Sequence, residues 1–394
     1  MKLLHDLLQK QKPMFEKGGK FEKFYYLFEA NESFLFSPAS TAKNKGVQVK
    51  DAIDLKRMMM TVVIAMIPCL IFGIFNVGYQ HNIATGGATT FFSIENLLFG
   101  SRWVLPIVLV SYAAGGLVEV VFSLVRKHPI NEGFLVTGML IPLIVPATIP
   151  LWQVALATVF GVLVGKEIFG GTGMNILNVA MTSRAFLYFA YPSQISGAVW
   201  TQLAEKTPVD GYTGATALSI AYDTSNASTG SVVASLGDFF SFNNMFVGLI
   251  PGSIGETSTA MALLGAIILI ASGVGSWKVI VSVFGGAVIM GAIFNAVGLN
   301  GFMDLPPHYH LVMGGLAFGA VFMASDPVSA AQTETGKWIY GLLIGMLTVL
   351  IRVTNPAYPE GIMLAVLFMN VFAPLIDYYV VQANKKRRLA RATV

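Results

Sequence analysis

The stretch "DGYTGAT", Asp210 to Thr216, sets two hydroxyls and one carboxylate among small residues, directly before the helix-forming run "ALSIAY". A membrane helix needs none of these groups, and the tight Gly-Ala-Thr step is not an ordinary turn. A threonine here can act as a nucleophile or cap the helix start, with Thr213 or Thr216 as the cap. A second polar stretch, "KEIFGGTGMNILN" (166–178), is rich in glycine and carries Asn175 and Asn178. Glycines let backbone approach a ligand closely. Asparagines three apart would share one helical face. The alternative is a helix-breaking loop whose amides satisfy freed backbone groups.

Four acids, Glu119, Glu132, Asp326 and Asp377, lie in or beside apolar runs. Charge there is costly and tends to be functional. Glu119 precedes Arg126 closely enough to pair with it, whereas Glu132, Asp326 and Asp377 are candidate cation ligands. A hard cation takes several oxygen ligands, which carboxylates and unwound carbonyls can supply.

Other chemistries are excluded. "GVLVGKE" (161–167) has the wrong spacing for a phosphate-binding P-loop. "GGTGMN" (170–175) lacks the third glycine of a dinucleotide fingerprint. No nicotinamide- or FAD-binding fold is visible. The single cysteine, Cys69, rules out an internal disulfide and a cluster ligated by four cysteines of this chain. His308 and His310 in "PPHYHL" have no further metal ligands nearby in sequence.

The elements that must position these residues are membrane helices. Of 394 residues, 55% are hydrophobic and 12% charged, and the mean hydropathy is +0.67. Soluble domains carry about 25% charged residues. The net charge of +4 is concentrated at the two ends, which suits an anionic membrane face rather than nucleic acid. Residues 1–57 carry eleven Lys/Arg and no apolar core of a signal peptide. Within them "FEKFYYLFEANESFLF" suits an amphipathic helix on the membrane surface, or a segment that docks another subunit.

Apolar runs follow at 58–79, 103–125, 134–147, 150–165, 185–200, 239–251, 259–276, 279–299, 311–324, 338–353 and 361–381. With basic residues at both ends, both termini should be cytoplasmic and the crossings even in number. The run 239–251, short and holding two asparagines, is expected to be re-entrant. The expected architecture is therefore an all-α integral membrane protein with ten transmembrane helices. Arg126, Lys127, Lys166, Arg184, Lys278 and Lys337 then fall on the cytoplasmic side, while Arg102, Lys206 and Arg352 do not. The expected organisation is a cytoplasmic extension (1–57), a first five-helix repeat (58–200), an external loop (201–258), a second repeat (259–381) and a basic cytoplasmic tail (382–394). Five is odd, so the halves would be inverted. The Gly/Pro-interrupted segments 138–150 and 311–327 would be their paired broken helices, flanking a site.

Together, "DGYTGAT", "RKHPINEGFLVTG", "KEIFGGTGMNILN", "AFLYFAYP" and "FMASDPVS" carry a resemblance over nearly the whole chain. It resembles the B subunits of the sodium-translocating NADH:quinone oxidoreductases. The resemblance implies covalent FMN, attached through phosphate to Thr216 within a signature that includes Asp210, Gly214 and Ala215. Gly214 and Ala215 would leave room for the phosphate, and free N–H groups at the helix start would bind it. A dedicated flavin transferase must act, because a threonine hydroxyl is a poor nucleophile unaided. The resemblance further implies non-covalent riboflavin near Asn175 and Asn178, a quinone site, sodium export and a six-subunit complex in the bacterial inner membrane. Asp326 joins the two asparagines because it belongs to the paired broken helix of the second half, and Glu132, Asp326 and Asp377 are candidate sodium or quinone ligands. Val179 stands where the family tends to have proline. Two other readings are the related subunit of the ferredoxin:NAD oxidoreductase complex and a non-redox inverted-repeat transporter. The long extension 1–57 favours the quinone enzyme over the first, and the "DGYTGAT" motif argues against the second.

Overall fold

The computed structural model describes residues 2–16, 18–36, 54–87, 90–127, 133–227, 232–355 and 360–392, all helix, turn or irregular chain with no strand among them. An N-terminal hairpin pairs α1 (Lys2–Phe15) with α2 (Tyr25–Leu35). Phe15 stacks on Phe28 at 4.7 Å, and Lys12 pairs with Glu32 at 3.0 Å. The expected amphipathic helix is thus one arm of a hairpin.

The first apolar group comprises α3 (Leu55–Ala84), α4 (Ile94–Arg126), α5 (Gly133–Leu143), α6 (Leu151–Gly165) and α7 (Val179–Ala190). Next come α8 (Ala217–Ala227), α9 (Val232–Leu236) and α10 (Phe242–Val247). The second group comprises α11 (Thr259–Ala271), α12 (Trp277–Val297), α13 (Tyr309–Val312), α14 (Leu316–Phe318) running on into a π-turn (Gly319–Met323), α15 (Glu334–Thr354) and α16 (Ile362–Ala392). Caps explain several starts. The side chains of Asp54, Ser93, Ser258 and Thr333 accept the amides of Arg57, Asn96, Met261 and Gly336.

Six of these helices are long and apolar enough to cross a membrane. α5 and α11, with 11 and 13 residues, are shorter. The run 185–200 is helical only as far as Ala190, and 311–324 is interrupted at Met313–Gly315. Interruption was expected in 138–150 as well, and there α5 stops at Leu143 among Pro142, Pro146 and Pro150. The inserted chain lies later than expected. α10 fills only part of 239–251, and residues 248–258 pack inward, where Gly255 N donates to Leu143 O (2.7 Å) and Ile254 N to Val145 O (3.1 Å). The freed carbonyls of one interrupted segment thus meet the amides of another, as buried backbone requires. The basic tail is no separate segment either, because α16 continues through "KKRRLAR" to Ala392.

Small residues bring the helices together. Between α12 and α15, a Cβ at Gly345 would overlap the Val283 carbonyl oxygen, and one at Gly286 the Leu342 carbonyl oxygen. Gly285, one step away, faces open space. Gly345→Val should therefore lower stability by about 1–3 kcal/mol or more, the usual cost of overpacking. Gly285→Ala should change it little. Thermal unfolding of the two variants in detergent checks this, and equal melting temperatures would contradict the packing account.

Candidate functional site

The "DGYTGAT" loop is pinned before α8 begins. Val209 N donates to Ala84 O (2.8 Å), tying the loop to the end of α3. Tyr212 OH bonds Thr201 Oγ1 at 2.6 Å, and burial pushes its phenol pKa up. Gly214 has φ +62°, and a Cβ there would sit 3.2 Å from Ala198 O, so both backbone conformation and space call for glycine. Thr216 is half-buried and caps α8, its Oγ1 accepting from Ser219 N at 3.3 Å. Capping and exposure of a reactive hydroxyl are therefore not alternatives here. Asp210 is exposed at the outer side of the loop.

Thr216 opens on a cleft of about 1020 Å³. Tyr188, Trp200 and Tyr222 line it, and its charged lining residues are Arg184, Glu256 and Glu360. Arg184 Nη1 lies 2.6 Å from Glu256 Oε1, both side chains being buried. This corrects the expected layout, because Arg184 and residue 256 cannot stand on opposite faces of a membrane. Arg184 lies about one and a half turns inside α7 rather than at its margin. At the back of the cleft is the interruption between α13 and α14. Arg352, fully buried, donates to the carbonyls of His310 (2.7 Å), Met313 (2.8 Å) and Glu360 (3.1 Å). Glu360 Oε1 accepts from Gly315 N at 2.5 Å. The carbonyl end of one half-helix thus meets a cation, and the amide end of the next meets an anion.

A second cavity of about 800 Å³ brings together Asn175, Asn178 and Asp326, with Lys166 and Thr172 also in its wall. Asn178 and Asn175 do not share a helical face. Asn178 caps α7 by accepting Met181 N (3.2 Å), while Asn175 lies in irregular chain and donates to Leu177 O (3.1 Å). Asp326 accepts from Ser329 N (3.3 Å) and Ser329 Oγ (2.6 Å). Lys166 is paired with Glu119, and Arg126 with Glu167 instead. The Glu119–Arg126 pairing is thereby replaced: α6 packs on α4 and delivers Lys166 to Glu119. Val179 in place of proline leaves the helix start where Asn178 caps it.

The NQR2, RnfD, RnfE family profile matches residues 43–386. The chain belongs to that family. Its relatives include proteins named as the B subunits of Na(+)-translocating NADH-quinone reductases. The one from Stutzerimonas stutzeri (strain A1501) is 49% identical over 98% of both chains. That from Chromohalobacter salexigens is 49% identical, over 98% of this chain and 96% of its own. That from Azotobacter vinelandii is 48% identical over 99% of both.

In this member of the NQR2, RnfD, RnfE family, some expected residues lie elsewhere. Glu132 lies outside the described residues. Asp377 is joined to the start of α15 rather than to the basic tail, accepting from Gln332 N (2.7 Å), Thr333 N (3.0 Å) and Thr333 Oγ1 (2.5 Å). His308 and His310 form no metal centre, since no group of three His, Cys, Asp or Glu among the described residues is placed to hold an ion. The sequence reading missed Glu256, Glu360 and Thr172 as wall residues and placed Arg184 elsewhere. Glu256 gave a usable signal, an acid immediately before a capped apolar helix.

Proposed function

We propose that this chain is the membrane B component of a sodium-translocating NADH:quinone oxidoreductase, carrying FMN on Thr216 and passing electrons towards quinone. The carrying observation is a threonine hydroxyl at the head of α8 that opens on a cleft lined by three aromatic side chains. The residues fit the group. Gly214 keeps the approach clear, free amides of α8 face an arriving phosphate, and three aromatic faces line the cleft. When bound, the flavin supplies the electron chemistry, and the protein holds it in place and sets its surroundings. Mass spectrometry of the peptide spanning 207–222 tests the attachment, and an unmodified peptide would sink it.

Riboflavin is assigned to the second cavity. Thr172 Oγ1 is buried there without a hydrogen-bond partner among the described residues, which suits a polar ligand. α7 runs from one cavity to the other, with Asn178 at this second cavity and Arg184 and Tyr188 at the Thr216 cleft. Six residues of helix separate Asn178 from Arg184, about 9 Å of rise. One rigid element thus fixes the spacing of the two sites. Replacing Asn175, Asn178 and Asp326 by alanine should lower bound riboflavin while FMN on Thr216 persists. Extraction of non-covalent flavin measures this, and unchanged riboflavin would remove the assignment.

The ten-crossing topology with inverted halves is also ours. The order α3 to α7 parallels α11 to α16, with the third element broken in each. Both termini are then cytoplasmic in a bacterial inner membrane, and Lys206, which is exposed, is external. A cysteine at 206, with Cys69 replaced, should react with an impermeant reagent on intact cells. Reaction only after permeabilisation would overturn this topology. Sodium passage is assigned to Asp377, with Glu132 a further candidate from the sequence. A cation at Asp377 would share carboxylate oxygens with the α15 donors, which about four lone-pair sites permit. Electrons come from other subunits of the complex, and a flavin transferase loads Thr216. The names of the relatives favour the quinone enzyme over the ferredoxin complex.

A further inference from the structure

The cleft at Thr216 holds three charged side chains, and they are not equivalent. Glu360 lies 3.9 Å from buried Arg352 and accepts an amide, so it serves the helix interruption behind the cleft. Arg184 and Glu256 form the tightest pair there, with side chains only 3% and 4% exposed, and Glu360 and Arg352 behind them are close enough to act on Glu256. They come from different parts of the fold, Arg184 from α7 and Glu256 from the inserted chain before α11. Glu256 is held against the interruption, since a Cβ on Gly315 would lie 2.6 Å from its Oε1. Neither side chain can turn into solvent.

We propose that the Arg184–Glu256 pair sets the reduction potential of the flavin on Thr216, the arginine raising it and the glutamate lowering it. The inference rests on FMN being attached at Thr216. A flavin gains negative charge as it is reduced, most of it at one edge of the ring, and nearby charge tunes its potential. In a buried cleft such charges are weakly screened and act over many ångströms. A cation there favours the reduced state and an anion disfavours it. The pair is neutral as a whole, and so are Arg352 and Glu360 behind it, so removing either member shifts the net charge at the cleft by one unit. The sign of each effect therefore follows from the charge removed. A purely structural pair would give no such opposition of sign.

The test is potentiometric titration of the intact complex. The covalent flavin is read as the difference between matched samples with and without Thr216→Ala. Fluorescence of the denatured band is recorded first for every variant. Arg184→Gln should lower the midpoint potential, Glu256→Gln should raise it, and the double variant should return towards wild type. Arg184→Lys, which keeps the charge, should stay close to wild type. Should Arg184→Gln fail to assemble, Glu256→Gln and Arg184→Lys decide. A fluorescent wild-type band with Glu256→Gln at or below the wild-type potential overturns this proposal alone. A wild-type band without fluorescence overturns the Thr216 assignment, and this proposal with it.

Discussion

Thr216→Ala is expected to abolish the flavin fluorescence of the denatured band, a complete loss. Covalent attachment needs the hydroxyl oxygen, and alanine has none. Alanine also removes the cap on Ser219 N, and losing such a cap costs about 1 kcal/mol. The two effects must be separated. Thr216→Asn keeps a capping oxygen without a hydroxyl, so it should fold like wild type and remain non-fluorescent. Thr216→Ser keeps both the cap and a hydroxyl and should retain some fluorescence. Undiminished fluorescence in Thr216→Asn would move the attachment elsewhere, Thr213 and Thr224 being the next hydroxyls to test. The pattern across the three variants distinguishes lost chemistry from a frayed α8.

Arg352→Met is expected to be the most destabilising single change, by about 3–5 kcal/mol, the scale for breaking a buried charged pair from one side. Arg352 is fully buried and holds three backbone carbonyls. Methionine fills much of the volume but satisfies none of them, and Glu360 is left without its cation. Arg352→Lys should recover only part of the loss, because one ammonium cannot reach three carbonyls spread around a planar fork. Adding Glu360→Gln to Arg352→Met should recover some stability by removing the stranded charge. Thermal unfolding of the complex in detergent is the readout. A melting temperature equal to wild type would mean that the helix interruption is held by something else.

What is local was legible. The tight loop "DGYTGAT" and the helix that follows it stand where the sequence put them, because glycine geometry and a helix start are properties of adjacent residues. The interruption of 138–150 and of 311–327 was legible too, because proline and glycine act on the backbone at their own positions. Asn175, Asn178 and Asp326 meet in one cavity, the third through the broken helix of the second half, although the shared helical face used to link the asparagines does not exist.

Charge pairing was not legible. Lys166 and Glu119 are 47 residues apart, and Arg184 and Glu256 are 72 apart. Counting basic residues towards the cytoplasmic face treats each as if it met water or lipid headgroups. Arg184 instead meets an acid on inserted chain, whose path no hydropathy window reveals. Arg352 likewise reads as a charge near a helix end, whereas it is the fully buried clamp of an interruption 39 residues earlier.

By itself the sequence determined that this chain is a helical membrane protein and that 138–150 and 311–327 are interrupted, because hydropathy and backbone breaking are local, and it left Thr213 and Thr216 both open as the cap of the helix after the loop. Only the tertiary structure decided which charges face each other and which walls enclose the two cavities. Those depend on how distant helices pack at their glycines, and on where freed backbone finds its partners once water is excluded.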